Sequence, residues 1–137
     1  MSESNVDAVR RGYEAFGRGD IDGLLGLLDE QIQWVTPGTP ELATSGRRTG
    51  RQQVGAFFGT VNDVFEIQRF EPSEFIAQGD RLVVLGSETV RVRATGTILD
   101  LDWVHVFTVR DGAVVAFQDH FDAASVVAAL SAARTAA

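Results

Sequence analysis

Apolar and polar residues alternate with a period of two from about residue 66 to residue 121. Such alternation is typical of β-strands that bury one face and leave the other face in solvent. Four turn-forming sequences interrupt the run, namely EPS, QGDR, ATGT and RDGA. We therefore expect a meander of four antiparallel strands, and a sheet of this kind needs other elements to cover its apolar face.

The first 65 residues have the spacing of helices. Apolar residues recur every three or four positions along residues 6–16 and again along residues 54–65. Between these segments, Asp20 is expected to cap a short helix whose apolar stripe runs from Ile21 to Leu28. The sequence QIQWVT then predicts a strand. Residues 37–50 are rich in proline, glycine and hydroxyl side chains, and predict a loop.

The chain length indicates one domain. A chain of 137 residues can bury a single hydrophobic core but not two, so we expect one domain over residues 1–137. Helices that precede an antiparallel sheet indicate the α+β class. The alanine-rich C-terminal segment predicts a last helix capped by Asp122, followed by a frayed tail from about residue 131.

Composition argues against several kinds of chemistry. The absence of cysteine removes disulfides, thiolate metal sites and thiol nucleophiles. All twelve basic residues are arginine, so no lysine can form a Schiff base. The two histidines are expected on opposite faces of the sheet, so they make no recognisable metal-ligand set. We expect neither a metal nor a cofactor.

Charge and hydropathy restrict the partners and the location. The net charge of −7 argues against binding to nucleic acid, which requires a basic surface. No segment is apolar enough over a sufficient length to cross a bilayer, and the first residues lack the apolar region of a signal peptide. We therefore expect a cytoplasmic protein whose partner is a small molecule, with no membrane partner.

The hairpin around RDG determines which residues share a face. With RDG as a three-residue loop, His105 lies opposite Phe117 and Trp103 lies opposite Asp119. His105 and Asp119 are then diagonal neighbours, with Cα atoms roughly 7 Å apart. The inner face predicted by this register carries Leu99, Leu101, Trp103, His105, Phe107, Val115, Phe117, Asp119 and Phe121.

The preceding hairpin brings a third ionisable group to the same face. With a two-residue turn at residues 95–96, Glu88 lies opposite Trp103 and points inward. Glu88, His105 and Asp119 therefore converge on one apolar surface. Burial among aromatic rings raises the pKa of a carboxyl group unless a neighbour compensates for the lost hydration. Carboxyl groups tuned in this way transfer protons near neutral pH.

Three segments of the chain carry a family resemblance. They are the opening YEAFGRGDIDGLLGLL, the sequence WVTPG at the end of the first strand, and VFTVRDGAVVAFQDHFD before the last helix. Together with the order of elements, they resemble the SnoaL-like branch of the nuclear-transport-factor-two-like superfamily, over almost the whole chain. The resemblance implies a cone-shaped barrel, in which a highly curved, mainly antiparallel sheet wraps around N-terminal helices and encloses a pocket. Several reactions occur on this fold.

The resemblance also implies roles for single residues. SnoaL-type polyketide cyclases have an acid/base aspartate at the position of Asp119 and a histidine at the position of His105, fourteen residues earlier. In limonene epoxide hydrolases the two catalytic aspartates fall on Asp119 and Glu88, but the arginine that bridges them falls on Gly86. In ketosteroid isomerases an oxyanion-hole acid falls on His105, whereas the catalytic base falls on Thr36.

These observations predict a cofactor-independent acid/base enzyme of the isomerase, cyclase or lyase type. Its substrate is expected to be small and mostly apolar, similar to a polyketide or a terpenoid. Asp119 would transfer the proton, His105 would orient Asp119 or stabilise an oxyanion, and Glu88 would act as a second acid. The rings expected to contact the substrate are Trp34, Trp103, Tyr13, Phe58 and Phe117.

Two other functions are compatible with the sequence. The first is epoxide opening by the Asp119 and Glu88 pair. The second is a small-ligand-binding or dimerisation module without turnover. In that case Asp119 would be satisfied by backbone donors or an arginine, and His105 by Glu88 or a carbonyl group.

The outer face of the sheet suggests self-association. His120 has the opposite parity to Asp119 and is expected on this outer face, together with Val104 and Val106. Because apolar residues on an exposed face favour association, we expect a homodimer through the outer face.

Overall fold

The computed structural model of the chain describes residues 2–131, with side chains from residue 4 onward. The frayed tail expected at the C-terminus lies outside the described residues, apart from its start at residue 131. Within the described part, the elements follow in the order α1 (Ser2–Gly17), α2 (Ile21–Leu25), β1 (Leu28–Thr36), β2 (Gly46–Thr49), α3 (Arg51–Val64), β3 (Phe65–Gln78), β4 (Arg81–Val92), β5 (Ile98–Arg110), β6 (Ala113–His120) and α4 (Ala123–Ala129).

The six strands form one mixed, curved sheet in the order β2-β1-β6-β5-β4-β3. Strands β3 to β6 form the predicted antiparallel meander, and β1 runs parallel to β6. The three N-terminal helices pack on the inner face, which confirms the α+β cone. Among the described strands, β2 and β3 are the edges, so the sheet is not closed into a full barrel.

Two predictions for the N-terminal half are wrong. The second helix ends at Leu25, and Leu28 begins β1 instead of completing the helical stripe. The expected loop at residues 37–50 contains β2, which pairs with the end of β1. Because β2 has four residues, none of them buried, it shows no alternation that the sequence could reveal. The cap is as expected: the backbone N–H of Gly23 donates to the Asp20 carboxylate at 2.9 Å.

The turn between β5 and β6 has two residues and not three. Asp111 and Gly112 both have positive φ, as a type I′ hairpin turn requires. Val109 consequently pairs with Val114, and Val115 has no partner on β5. Val115 is therefore a bulge residue, and its prediction as a regular inner-face residue was wrong.

The bulge changes which residues of β5 and β6 pair beyond it, but the same side chains remain on the inner face. His105 lies directly opposite Asp119, not diagonal to it, and Phe107 lies opposite Phe117. The expected pairs of His105 with Phe117 and of Trp103 with Asp119 are thus wrong. The shorter turn and the bulged residue together change the register by two residues, so His105, Phe117 and Asp119 all face inward as predicted.

The register between β4 and β5 differs from the expected one by two residues. Glu88 lies opposite Leu101, and not opposite Trp103, because residues 93–97 form the connection in place of a two-residue turn. A shift of two residues leaves every side chain on its own face. Glu88 therefore still points inward. On the outer side, the Thr89 hydroxyl donates to the Asp100 carboxylate at 2.6 Å.

The turn predicted at EPS does not occur, because residues 71–73 lie inside β3. This strand is fourteen residues long and its pairing with β4 shifts register twice, between Ile67 and Arg69 and between Pro72 and Glu74. Irregularities of this type bend a strand and increase its twist. The proline therefore marks a bend in a long edge strand.

Gly86 on β4 leaves room for Trp103 on β5. A Cβ atom at position 86 would lie 2.2 Å from Cζ2 of Trp103 and 2.6 Å from the carbonyl oxygen of Glu71. Neither the strand backbone nor an indole that is 1% exposed can move easily in a close-packed interior. The indole stacks on Phe70 with centroids 4.9 Å apart and on His105 at 3.9 Å. Gly86 thus controls the position of the ring behind His105.

We expect Gly86→Ala to lower the free energy of unfolding by roughly 1–3 kcal/mol, because the added methyl group overpacks the Trp103 site. Gly59→Ala is the matched control, since position 59 lies in α3 and has no neighbouring atom within 4 Å of an added Cβ. In a helix interior this exchange should stabilise by up to about 1 kcal/mol. Urea denaturation of both variants tests the prediction, and similar effects in the two would contradict it.

Candidate functional site

A cavity of about 150 Å³ lies between the N-terminal helices and the inner face of the sheet. Its walls are mainly aromatic, and its few polar side chains come from different elements. The aromatic lining residues are Tyr13, Phe16, Trp34, Phe57, Phe58, Phe65, Phe70, Phe107, Phe117 and Phe121. The polar lining residues are Thr36, Thr44, Glu88, His105 and Asp119. This mixture is typical of a small-molecule site.

His105 and Asp119 form the central pair of this cavity. They are cross-strand partners on β5 and β6, and Nε2 of His105 lies 3.2 Å from Oδ1 of Asp119. The side chain of His105 is 9% exposed and that of Asp119 is 17% exposed. The structure therefore brings together the two residues that the sequence predicts as the proton-transfer pair.

The described residues do not anchor the Asp119 carboxylate by a hydrogen bond at Oδ1. Its Oδ1 atom is buried and has no hydrogen-bond donor among the described residues. The 3.2 Å contact with His105 is short, but the ring N–H does not point at Oδ1 closely enough for a hydrogen bond. A buried carboxylate oxygen without a donor costs stability, and a catalytic role or a bound water or ion is the kind of reason for which such a group is retained.

Tyr13 on α1 reaches His105 from the opposite side. The Tyr13 hydroxyl lies 2.7 Å from Nδ1 of His105, between residues 92 positions apart in the chain. The imidazole is held by stacking on Trp103 and by an edge contact with Phe117, with centroids 4.9 Å apart. Helix α1, β5 and β6 together determine the geometry of the pair.

Glu88 is the second carboxyl group of the cavity. It lies on β4 between Phe70 of β3 and Leu101 of β5. Burial, and to a lesser degree the negative charge of Asp119, raise the pKa of Glu88 from 4.5 to about 7, against an opposing effect of Arg69. Glu88 can therefore both donate and accept a proton near neutral pH.

The predicted substrate-contacting rings have different positions. Tyr13, Trp34, Phe58 and Phe117 line the cavity, and Trp34 stacks on Phe117 with centroids 3.9 Å apart. Trp103 does not belong to the lining, because its indole lies behind the wall against His105.

Two threonines of the site were not predicted as site residues, although the resemblance places the base of ketosteroid isomerases at Thr36. Thr36 and Thr44 are both buried and line the cavity, and the Thr36 hydroxyl donates to the Thr44 carbonyl. Because Val35 pairs with Gln118 in parallel, Thr36 and Asp119 are adjacent on the inner face. The signal was present for Thr36, which ends a predicted strand, whereas Thr44 lies in a segment whose conformation the sequence did not predict.

Two further features bear on the kind of site. In the described part of the chain, no group of three or more His, Cys, Asp or Glu side chains could hold a metal ion. Likewise, none of the helices between residues 2 and 131 combines the length and the apolar character needed to span a membrane.

A family model for the SnoaL-like domain matches residues 9–117. The chain belongs to the SnoaL-like family. This match confirms the resemblance seen in the sequence. The matched segment includes most of the residues that line the cavity, but Ala8, Asp119, Phe121 and Val126 lie outside it, with Asp119 two positions beyond its end. No curated protein sequence matches this SnoaL-like chain.

Solved structures agree with the family assignment. An NTF2-like protein of unknown function from Burkholderia pseudomallei is 36% identical, with a TM-score of 0.88 over 96% of this chain and 100% of that chain. An NTF2-like protein from Burkholderia xenovorans is 34% identical, with a TM-score of 0.86 over 95% and 98%. TerC, co-crystallised with polyporic acid, is 32% identical, with a TM-score of 0.85 over 94% and 99%.

We expect Glu88→Gln to remove a pH dependence of the stability of this SnoaL-like protein. The pKa of Glu88 is about 7 in the folded protein against 4.5 ordinarily, so deprotonation favours the unfolded chain. The wild type should therefore be more stable below the ordinary pKa and lose up to about 3 kcal/mol as the pH rises through about 7.

Urea denaturation of wild type and Glu88→Gln at about pH 5 and about pH 8 measures this effect. The variant should be the more stable of the two at the higher pH. Glu74→Gln, on an exposed position of β3, serves as the control and should follow the wild type. An equal pH dependence in wild type and Glu88→Gln would show that Glu88 is not desolvated.

Proposed function

We propose that this protein is a cofactor-independent acid/base enzyme of the isomerase, cyclase or lyase type. Asp119 transfers a proton to or from the substrate, His105 orients Asp119 or stabilises an oxyanion, and Glu88 acts as the second acid. The observation that carries this proposal is a single apolar cavity that holds Asp119 beside His105 and, in addition, a carboxyl group with a pKa of about 7.

The two carboxyl groups are suited to different tasks. The negative charge of Asp119 contributes to the raised pKa of Glu88, so Glu88 retains its proton more readily than an exposed glutamate does. Two carboxyl groups whose environments separate their protonation are a recurrent arrangement for an acid and a base in one site. Glu88 is therefore the donor and Asp119 the acceptor when a substrate proton is removed.

The lining favours a neutral substrate of modest size. No arginine is among the described residues that line the cavity, so an anionic group would meet Asp119 without a compensating charge. A cavity of about 150 Å³ accommodates an apolar molecule of about one six-membered ring. We propose a small cyclic, polyketide- or terpenoid-like carbonyl compound as substrate. The crystals of TerC with polyporic acid support an organic ligand in a relative of this chain.

Epoxide opening by Asp119 and Glu88 is the second candidate, and one observation weakens it. In limonene epoxide hydrolases an arginine bridges the two carboxyl groups, and its position falls on Gly86. Here any side chain at position 86 would collide with Trp103. Proton transfer without a bridging cation fits this geometry better than epoxide hydrolysis does.

Deuterium incorporation tests the proposal without knowledge of the natural substrate. Small cyclic ketones and β,γ-unsaturated ketones are incubated with the protein in D₂O. If Asp119 removes the proton next to the carbonyl while Glu88 protonates the carbonyl oxygen, the resulting enol returns to the ketone with deuterium on carbon. We expect exchange above the buffer rate, measured by mass spectrometry or NMR, and a loss of roughly 100- to 10,000-fold in Asp119→Asn.

Asp111→Asn is the matched control, because position 111 is exposed and asparagine tolerates its positive φ. This control should exchange at the wild-type rate. Binding of the same ketones without exchange, in wild type and Asp119→Asn alike, would favour a ligand-binding module and contradict the catalytic proposal.

We also propose that the protein is a homodimer through the outer face of the sheet. Val83 lies opposite Val106, and Leu85 lies opposite Val104, so four half-buried apolar side chains are contiguous on this face. Ile76, paired with Val83, extends the patch and is 48% exposed. His120 is exposed beside Val104, on the face that the sequence predicts.

Light scattering at micromolar concentration should give the mass of a dimer for the wild type. Val106→Arg should give a monomer with unchanged circular dichroism, because burying an arginine in a dimer interface is costly. Glu14→Arg, on an exposed position of α1, should remain dimeric. A monomeric wild type at this concentration would refute the dimer.

A further inference from the structure

The imidazole of His105 has a different partner at each ring nitrogen. Nδ1 lies 2.7 Å from the Tyr13 hydroxyl, and Nε2 lies 3.2 Å from Oδ1 of Asp119. A neutral imidazole carries its proton on only one of these nitrogens, and the other nitrogen is an acceptor. The neighbours therefore decide which tautomer the ring adopts.

Only one of the two tautomers suits both neighbours. If Nδ1 carried the proton and donated it to Tyr13, the electron-rich Nε2 would lie 3.2 Å from a carboxylate oxygen. Two acceptors at that distance repel each other in a poorly hydrated site. If the Tyr13 hydroxyl donates to Nδ1, the proton is on Nε2, and the positive charge of this N–H lies close to the Asp119 carboxylate without an aligned hydrogen bond. The second arrangement is attractive on both sides.

Tyr13 is a suitable donor for this role. Burial, and secondly the charge of Asp119, raise the pKa of its phenol far above the ordinary value, so the hydroxyl keeps its proton. The rings of Tyr13 and His105 are nearly parallel, with an interplanar angle of 12°, which suits a contact in the plane of the imidazole. Stacking of the imidazole on Trp103 at 3.9 Å restricts its rotation.

We propose that Tyr13 is a positioning residue that fixes the tautomer of His105, a role that rests on the proposed acid/base function of Asp119. By donating to Nδ1, Tyr13 keeps the imidazole proton on Nε2, where it stabilises Oδ1 of Asp119 and leaves Oδ2 to exchange a proton with the substrate. The sequence predicts Tyr13 as a residue in contact with the substrate. Its hydroxyl, acting through His105, is the functional group in this inference.

The composition of the chain makes the tautomer directly measurable. The protein has two histidines and one tyrosine. Imidazole ¹⁵N NMR of histidine-labelled protein should show an acceptor-type Nδ1 and a protonated Nε2 for His105. His120 is exposed, so His120→Gln assigns the two rings, and in the other samples His120 is the internal reference. A protonated Nδ1 in the wild type, whether as the other tautomer or as imidazolium, overturns the proposal.

Tyr13→Phe retains the aromatic ring and removes only the hydroxyl. In this variant only Asp119 still disfavours a proton on Nδ1, so the Nδ1-protonated tautomer of His105 should rise in population, while the spectrum of His120 should not change. An unchanged His105 tautomer in Tyr13→Phe overturns the role of Tyr13. If the variant does not fold, the wild-type spectrum alone still decides the tautomer.

Deuterium exchange separates this inference from the proposed function. Tyr13→Phe should lower the exchange rate by roughly 10- to 100-fold with unchanged affinity for the ketone, by analogy with the partners that orient metal-bound histidines. An unchanged rate overturns the positioning role. If the wild type catalyses no exchange while its His105 has the expected tautomer, the proposed enzyme function fails and the effect of Tyr13 on His105 remains.

Discussion

The inner face of the curved sheet must be kept from water, and the helices that cover it do so without filling all of the space beneath them. Strands β4, β5 and β6 each place one ionisable side chain on this face, and the aromatic residues around them reduce its contact with water. Loss of hydration is costly for a charged group. The properties of the site follow from how each of the three groups compensates for that loss.

The three groups differ in their compensation. His105 is held between Tyr13 and Asp119 and is stacked on Trp103. Asp119 has the nearby imidazole but no hydrogen-bond donor for Oδ1 among the described residues. Glu88 has apolar neighbours on the adjacent strands, and its burial raises its pKa to about 7. A negative group in close contact with an imidazole and a carboxyl group that retains its proton thus occur in one cavity, and this difference is the basis of the proposed proton transfer.

The same packing determines what the site excludes. The space in which a side chain at position 86 would lie is occupied by Trp103, and this indole supports His105 from behind. No cationic side chain is among the described residues of the lining. The cavity therefore depends on aromatic walls and a few polar groups for recognition, which suits a neutral apolar molecule.

Much of the fold could be predicted from the sequence, because strand and helix periodicity act locally. The α+β class, the antiparallel meander and the cap at Asp20 all follow from patterns a few residues long. The inward direction of Glu88, His105 and Asp119 also follows from a period of two, and it survived errors of register because the misplaced pairings kept the same parity. The short, polar β2 and the bulge at Val115 lack a local pattern, and they were missed.

The sequence by itself determined which face each residue of the sheet occupies, since alternation is a property of consecutive residues. Only the tertiary structure decided which residues meet. His105 lies directly opposite Asp119 because a two-residue turn and a bulge combine. Tyr13 contacts His105, which is 92 positions away in the chain, because α1 packs on the sheet. Contacts of that kind depend on the closure of the whole fold, which no local periodicity encodes.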